Sequence, residues 1–274
     1  MSSIGLSWAH VGPPPNDPEK SKGLRRLTIF ASKLAGCAGM HPYVSRDDMR
    51  LELRHALFGD APEGYLPPKE VEARALKTGM TPAATEALER AVDEIKASGA
   101  AADSVASAEA VDRATSLVSD MEGVSEEAKE VVRARLFTAH GTHGEDAIRE
   151  ATQADSKGAL SIRTDARFRS TRIATPPGID VGFDVYVGGR HDGIVDAEGC
   201  VTEIKNRVRR HLGVPEYERV QLHAYMAIFG VRKGLLVENY KGDRRQHEVA
   251  FDDEFWRGVQ LNLFSFLGDL GLRA

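Results

Sequence analysis

Apolar positions divide the chain into two textures. From Thr28 to about Ala154 they recur at helical spacing; from Leu160 onward they alternate as in strands, with two helices set among them. Ser45 is placed to cap a helix whose Met49, Leu53 and Leu57 share one face. Ser32 is placed to cap a shorter helix through Gly36, before a break at His41-Pro42-Tyr43. Gly59 to Pro68 reads as loop. Lys69 to about Glu122 reads as helical but is rich in Ala, Glu and Asp and poor in large apolar residues, which suits a peripheral, partly mobile insertion. Ser125, followed by acids in the first turn, opens another helix, and a further one starts near Gly144. Residues 1–23, Pro-, Gly- and Ser-rich around "GPPPNDPEKSKG", read as a flexible arm.

In the second half, "LSIRTDARFRSTRI" reads as one strand, with Ile162, Ala166 and Phe168 on one face and Arg163, Asp165, Arg167 and Arg169 on the other. "FDVYVGG" is a second strand. "RHDGIVDAEGCVTEIKNR" supplies two more around a turn signal at Asp196–Gly199. Pro215 opens a helix through Phe229, "GLLVENY" and "HEVAF" are strands, and a closing helix buries Phe255, Val259, Leu263 and Phe266. Helices followed by β-β-β-β-α-β-β-α predict an α/β (α+β) domain over 24–274, a mixed sheet flanked by helices, with about 62–125 as a helical insertion. No internal repeat is evident.

Composition narrows the function classes. At 274 residues, 42% hydrophobic and 28% charged, the chain can build an ordinary globular core. A net charge of -5 argues against a histone-like basic binder but leaves room for local basic patches. Cys37 and Cys200 are the only cysteines, so a single chain cannot hold a four-cysteine zinc or iron–sulfur site, and a reducing, intracellular setting fits. No apolar run reaches the ~20 residues of a membrane helix, and the N-terminus does not read as a secretory signal.

The hairpin from Arg190 to Arg207 carries the candidate chemistry. With Ala197 and Glu198 at its tip, paired positions sum to a constant that places Asp192 opposite Glu203, and Lys205 on the same face. Like charges facing each other destabilise a bland hairpin, whereas a divalent cation with hard oxygen ligands, Mg²⁺ or Mn²⁺, offsets the repulsion. The competing reading is a surface hairpin with solvated acids and lysine. On the next helix Gln221 and Tyr225 share a face at i, i+4.

An Asp followed by acid-x-Lys on the next strand, here "HDG" and "EIK", resembles the PD-(D/E)xK nuclease core. "PEYERVQLHAYM" resembles the Gln-x-x-x-Tyr motif of its RecB-type and lambda-exonuclease-type subgroup. "HGTHGEDA" resembles that subgroup's Gly-x-x-x-Glu motif through Gly141 and Glu145. "ASKLAGCAGMHPYVSRDDM" is similar to the N-terminal signature of the YqaJ / lambda-exonuclease-like viral recombinase family. His191 stands where the family name has Pro, and the 62–125 segment is longer than the family leads one to expect.

The resemblance implies a restriction-endonuclease-like core and a metal-dependent exonuclease acting on linear duplex DNA, 5′→3′, in recombination, repair or viral DNA processing. It implies one or two ions held by Asp192, Glu203, the Ile204 carbonyl and Glu145, with Lys205 as a water-orienting or charge-stabilising group and Gln221 and Tyr225 as its positioning partners. DNA contacts are expected from Arg163, Arg167 and Arg169 as a same-face row, and from Arg207, Arg209 and Arg210 after the active strand. By resemblance Ser32 and Lys33 bind a terminal 5′-phosphate. Also by resemblance, a trimeric assembly and a single-strand annealing protein are expected partners. His140 and His143 read as neutral surface histidines, with a place in the metal site as the alternative. The alternatives are a single-strand-preferring RecB-like nuclease, an endonuclease on the same core, a catalytically idle DNA-binding protein, and a non-nuclease α/β binding domain.

Overall fold

The computed structural model describes residues 9–12, 25–59, 62–100, 104–156, 160–164, 167–179, 181–195 and 199–270. The first half runs β1 (Ala9–Gly12), β2 (Arg25–Phe30), α1 (Ala31–Cys37), α2 (Arg46–Phe58), α3 (Pro68–Gly79), α4 (Pro82–Ala100), α5 (Ser104–Asp120), α6 (Glu126–His143) and α7 (Glu145–Asp155). The second runs β3 (Ile162–Arg163), β4 (Arg169–Arg172), β5 (Phe183–Gly189), β6 (Gly193–Val195), β7 (Cys200–Arg207), α8 (Glu216–Phe229), β8 (Lys233–Tyr240), β9 (Asp243–Ala250) and α9 (Asp253–Asp269). The fold is mixed α/β, as the order of patterns predicts.

Two sheets form rather than one: β1-β2-β5-β4 and β3-β6-β7-β8-β9. Each is mixed, because β2 runs parallel to β5 and β7 parallel to β8, while the outer pairings are antiparallel. The stretch read as one strand over 160–173 is two strands in different sheets: Ile162 pairs with Val195, and Arg169 with Gly189. Residues 165 and 166 lie outside the described residues. Strands β1 and β2 went unread. Ala9–Gly12 falls in the segment taken as an arm, and the run "RRLTIF" of β2 offers only a short alternation of apolar Leu27 and Ile29 with polar Arg26 and Thr28, of which Thr28 is buried as well.

The helix caps follow local chemistry. Ser45 Oγ accepts from the Asp48 amide and Ser125 Oγ from the Ala128 amide. Ser32 caps nothing; α1 starts at Ala31 with Phe30 as its N-cap, so Ser32 lies inside the first turn. Helix α8 packs against β4 and β5 of one sheet and β7 and β8 of the other, and so holds the two together. The main core joins Leu27, Val185 and Val187 of the first sheet with Val220, Leu222 and Met226 of α8 and with Leu263, Phe264 and Phe266 of α9. The 62–125 segment supplies α3, α4 and α5, which pack with α6 around a separate core of Leu88, Ile95, Val111, Val118, Val132 and Leu136. A third cluster, Ile148, Ile162, Ile204 and Val237, lies between α7 and the five-stranded sheet. No helix among the described residues is long and apolar enough to cross a membrane.

Candidate active site

The β6–β7 ladder pairs Gly193 with Thr202, Ile194 with Val201 and Val195 with Cys200. This is the predicted register, although the tip 196–198 lies outside the described residues. One position further along stand Asp192 and Glu203; burial raises the pKa of both, and the charge of Asp192 adds to the effect on Glu203, that of Glu145 to the effect on Asp192. Alternation along β7 sends Val201, Glu203, Lys205 and Arg207 toward α8, and Cys200 and Ile204 toward the α7 cluster. Both faces of the strand are therefore covered, and Glu203 is only 3% exposed.

Helix α8 brings Gln221 and Tyr225 to this carboxylate. Lys205 Nζ donates to Glu203 Oε1 at 2.6 Å and Gln221 Nε2 donates to the same oxygen at 2.8 Å. Gln221 also reaches Lys205 Nζ through its Oε1 at 3.5 Å and the Tyr225 hydroxyl through Nε2 at 3.3 Å. Asp192 Oδ2 accepts from the Ile204 amide at 2.7 Å. Tyr225 is buried against Gly189, where a Cβ would stand 2.8 Å from its ring. The absence of a side chain there gives α8 its close approach to β5.

Glu145 is the first residue of α7, where the positive end of the helix favours an acid. Gly144, its N-cap, lies against Asn206 of β7: a Cβ would meet Asn206 Nδ2 at 2.5 Å. Asn206 is itself fixed, donating to the His140 carbonyl and accepting from Asn239. The glycine with a structural reason is thus Gly144. At Gly141 a Cβ would meet nothing within 4 Å. His140 is not a surface residue: it is buried, bonded to Ser107 Oγ at 2.7 Å, and burial lowers its pKa. His143 is exposed.

Burial dominates the electrostatics of the acids. It raises Asp192 to about 6, with Glu145 adding to the effect; it raises Glu145 to about 7, with Glu203 adding; and it raises Glu203 to about 8, with Asp192 adding. For Lys205 burial works against the ammonium, but Glu203, with Glu218 and Asp192 behind it, outweighs this and holds its pKa above the ordinary lysine range. The second oxygen of Glu203, Oε2, is buried with no hydrogen-bond partner.

No three His, Cys, Asp or Glu side chains among the described residues already converge on one point at ligating distance. The donor set nonetheless fits a hard cation. It consists of three carboxylates whose charges add to the cost of burial, one of them with an unpartnered buried oxygen.

The expected basic row does not form as a unit. Arg163 belongs to the five-stranded sheet and Arg169 to the four-stranded one, although both side chains, like Arg167, are exposed. Arg169 lies over the Phe229 ring at 5.0 Å. Arg207 is turned inward: Nη1 and Nη2 donate to Glu218 at 2.7 and 2.6 Å, and Nε to Glu238 at 2.7 Å. It joins the strand to α8 rather than extending an exposed row. Arg209 and Arg210 are exposed. Ser32 is exposed on α1, and Lys33 stands 3.7 Å from Glu52.

Sequence reasoning missed Glu218, Glu238 and Asn206. Glu238, on β8, also accepts from the Leu212 and Gly213 amides at 2.9 Å, and so anchors the connection into α8. Glu218 is 3% exposed and Glu238 0%. A periodicity reading could flag them, since both are acids at buried phases of apolar elements.

No family model matches the chain, and no curated protein matches it significantly. Among solved structures, the chain is similar to an alkaline exonuclease (LHK-Exo) from Laribacter hongkongensis, with 18% identity over 57% of this chain and 86% of the other, TM-score 0.36. The same exonuclease in complex with dAMP aligns at 17% identity over 62% and 86%, TM-score 0.34. A structure described as SSO0001 aligns at 21% identity over 51% and 67%, TM-score 0.35.

Proposed function

We propose that the chain is a metal-dependent DNA exonuclease that hydrolyses phosphodiester bonds of linear duplex DNA, 5′→3′, in recombination, repair or viral DNA processing. The supporting observation is Glu203. Its carboxylate is buried in mid-strand, with one oxygen held by Lys205 and Gln221 and the other unpartnered, among two further acids. A purely structural role would place apolar side chains there, because a buried cluster of like charges costs stability.

Asp192, Glu203, the Ile204 carbonyl and Glu145 would hold one or two Mg²⁺ or Mn²⁺ ions. Such an ion supplies a lowered pKa for water and neutralises charge on the phosphate. Lys205, kept protonated by Glu203, donates hydrogen bonds to charge developing on the phosphate rather than acting as a base. Gln221 fixes Lys205 relative to Glu203, and Tyr225 fixes Gln221. Arg163, Arg167, Arg169, Arg209 and Arg210 contact the DNA backbone without reading sequence, and Ser32 and Lys33 take a terminal phosphate.

The test is cleavage of linear 5′-phosphorylated duplex, single strands and closed circles with Mg²⁺, beside Glu203→Ala and Lys205→Ala. Loss of linear duplex alone, abolished by both substitutions, is the expected result. Cutting of circles would make the enzyme an endonuclease. Absence of Mg²⁺-dependent cutting on every substrate would remove the enzymatic reading.

A further inference from the structure

Tyr217, Gln221 and Tyr225 fall on one stripe of α8 at i, i+4 and i+8. The last two belong to the site. Tyr217 lies one turn nearer the start of the helix, beside Glu218, which pairs with Arg207 two residues beyond Lys205 on the same face of β7. The stripe thus leaves the catalytic cluster past its lysine end. There the turn between α1 and α2 meets it: the His41 ring packs on Tyr217 with centroids 4.8 Å apart, and Tyr43 stands edge-on to His41 at 6.0 Å. The Tyr43 amide donates to His41 Nδ1 at 3.2 Å, which fixes the two relative to each other.

Tyr43 is 84% exposed, the highest value among the exposed large hydrophobic side chains described. It contributes little to the core, and an aromatic ring held in water has a face open to a ligand. Of the acids on this side, Glu218 takes two bonds from Arg207 and Glu52 stands 3.7 Å from Lys33, while Glu216, next to Tyr217, is exposed. The connection from β7 into α8 carries the exposed Arg209 and Arg210 and ends at Pro215, two residues before Tyr217. A graded run of aromatic rings on the helix that this basic connection leads into, with Arg209 lying over the Phe137 ring at 5.6 Å, suits flat bases on a negatively charged backbone, with no sequence preference.

We propose that Tyr217, His41 and Tyr43 form a base-stacking ledge that receives unpaired nucleobases of a single DNA strand next to the catalytic cluster. This rests on the nuclease reading for the identity of the neighbouring site. The ledge gives the protein a grip on a frayed or single-stranded end, and Tyr43 makes the outermost stack.

Equilibrium binding in EDTA tests the ledge without catalysis. The full chain is titrated into labelled oligothymidine and into an abasic sugar-phosphate strand of equal length, and fluorescence anisotropy is followed. The strand with bases binds more tightly than the abasic one, and Tyr43→Ala weakens oligothymidine by about 10-fold while leaving the abasic strand unchanged. Tyr43→Phe restores the wild-type affinity. Because the side chain is almost wholly exposed, its removal does not threaten folding. Equal binding of the two strands, unchanged oligothymidine affinity in Tyr43→Ala, or no oligothymidine binding by the wild type would each overturn the ledge. Failure of the nuclease reading shows separately, as a wild type that binds oligothymidine but cuts nothing with Mg²⁺.

Discussion

Asp192 accepts a 2.7 Å hydrogen bond from the backbone amide of Ile204, the residue between Glu203 and Lys205 on β7. That bond ties the carboxylate of one strand to the backbone of the next, so the two acids cannot separate to relieve their repulsion. Burial is the larger burden on both; the charge of Glu145 adds to it for Asp192, and that of Asp192 for Glu203.

The first prediction concerns pH and metal. The folded-state values of about 6, 7 and 8 for Asp192, Glu145 and Glu203 lie above those of an unfolded chain, so the native state binds more protons than the unfolded one. A raised carboxyl contributes stability while protonated and loses it as pH climbs through the folded value. The melting temperature without metal should therefore fall between about pH 5 and pH 8 on account of these groups. Mg²⁺ or Mn²⁺ competes for the same oxygens and should raise the melting temperature by a few degrees at about pH 8, and less at about pH 5. Thermal melts with EDTA and with each cation check this; a melting temperature indifferent to cation at the higher pH counts against the metal site.

Asp192→Asn separates stability from chemistry. The asparagine carbonyl can still accept from the Ile204 amide, while the charge that presses on Glu145 and Glu203 is gone. In metal-free buffer at about pH 8 the variant should be more stable by about 1–2 kcal/mol. Cleavage, by contrast, should be lost. Urea titration of both proteins in EDTA reads the first effect, and a less stable variant would show that Asp192 is a structural acid.

The hairpin was readable because its information is local. A turn signal and a sum of residue numbers fix which side chains face each other, and the ladder from Val195–Cys200 to Gly193–Thr202 has that register. The i, i+4 pairing of Gln221 and Tyr225 was readable for the same reason. The division of the 160–173 stretch between two sheets was not, because alternation specifies faces and not partners: Ile162 meets Val195, and Arg169 meets Gly189. The fate of Arg207 was equally hidden. An arginine at the end of β7 looks like its exposed neighbours until Glu218 and Glu238 arrive from α8 and β8.

Two glycines of the α6 end give a paired prediction. Gly141 sits in a helix with open space around it, so Gly141→Ala should stabilise the protein by up to about 1 kcal/mol through helix propensity and leave cleavage intact. Gly144→Ala forces a methyl group onto Asn206, which its bonds to His140 and Asn239 keep in place. The start of α7 must then shift, and Glu145 with it. Cleavage should fall about 10-fold or more, since small displacements of a reacting group are costly. Equal activity in the two variants would mean that the position of Glu145 does not matter to the reaction.

Arg207 and Arg210 make the sharpest contrast among the basic residues. Arg207→Met leaves Glu218 and Glu238 buried without their shared cation; Glu238 keeps the Leu212 and Gly213 amides and His247, but Glu218 loses both guanidinium bonds. The loss should be about 3–5 kcal/mol, the usual cost of removing one member of a buried ion pair. Arg207→Lys should recover only part of it, because one ammonium cannot reproduce a two-pronged contact plus a third bond. Arg210→Ala, at an exposed position, should change stability by less than about 0.5 kcal/mol but weaken DNA binding and lower the salt dependence of the affinity by roughly one phosphate contact. Urea melts and DNA titrations at several salt concentrations measure both. If Arg207→Met were as stable as wild type and instead altered the salt slope, Arg207 would be a DNA contact after all, and the link it makes between β7 and α8 would carry no weight.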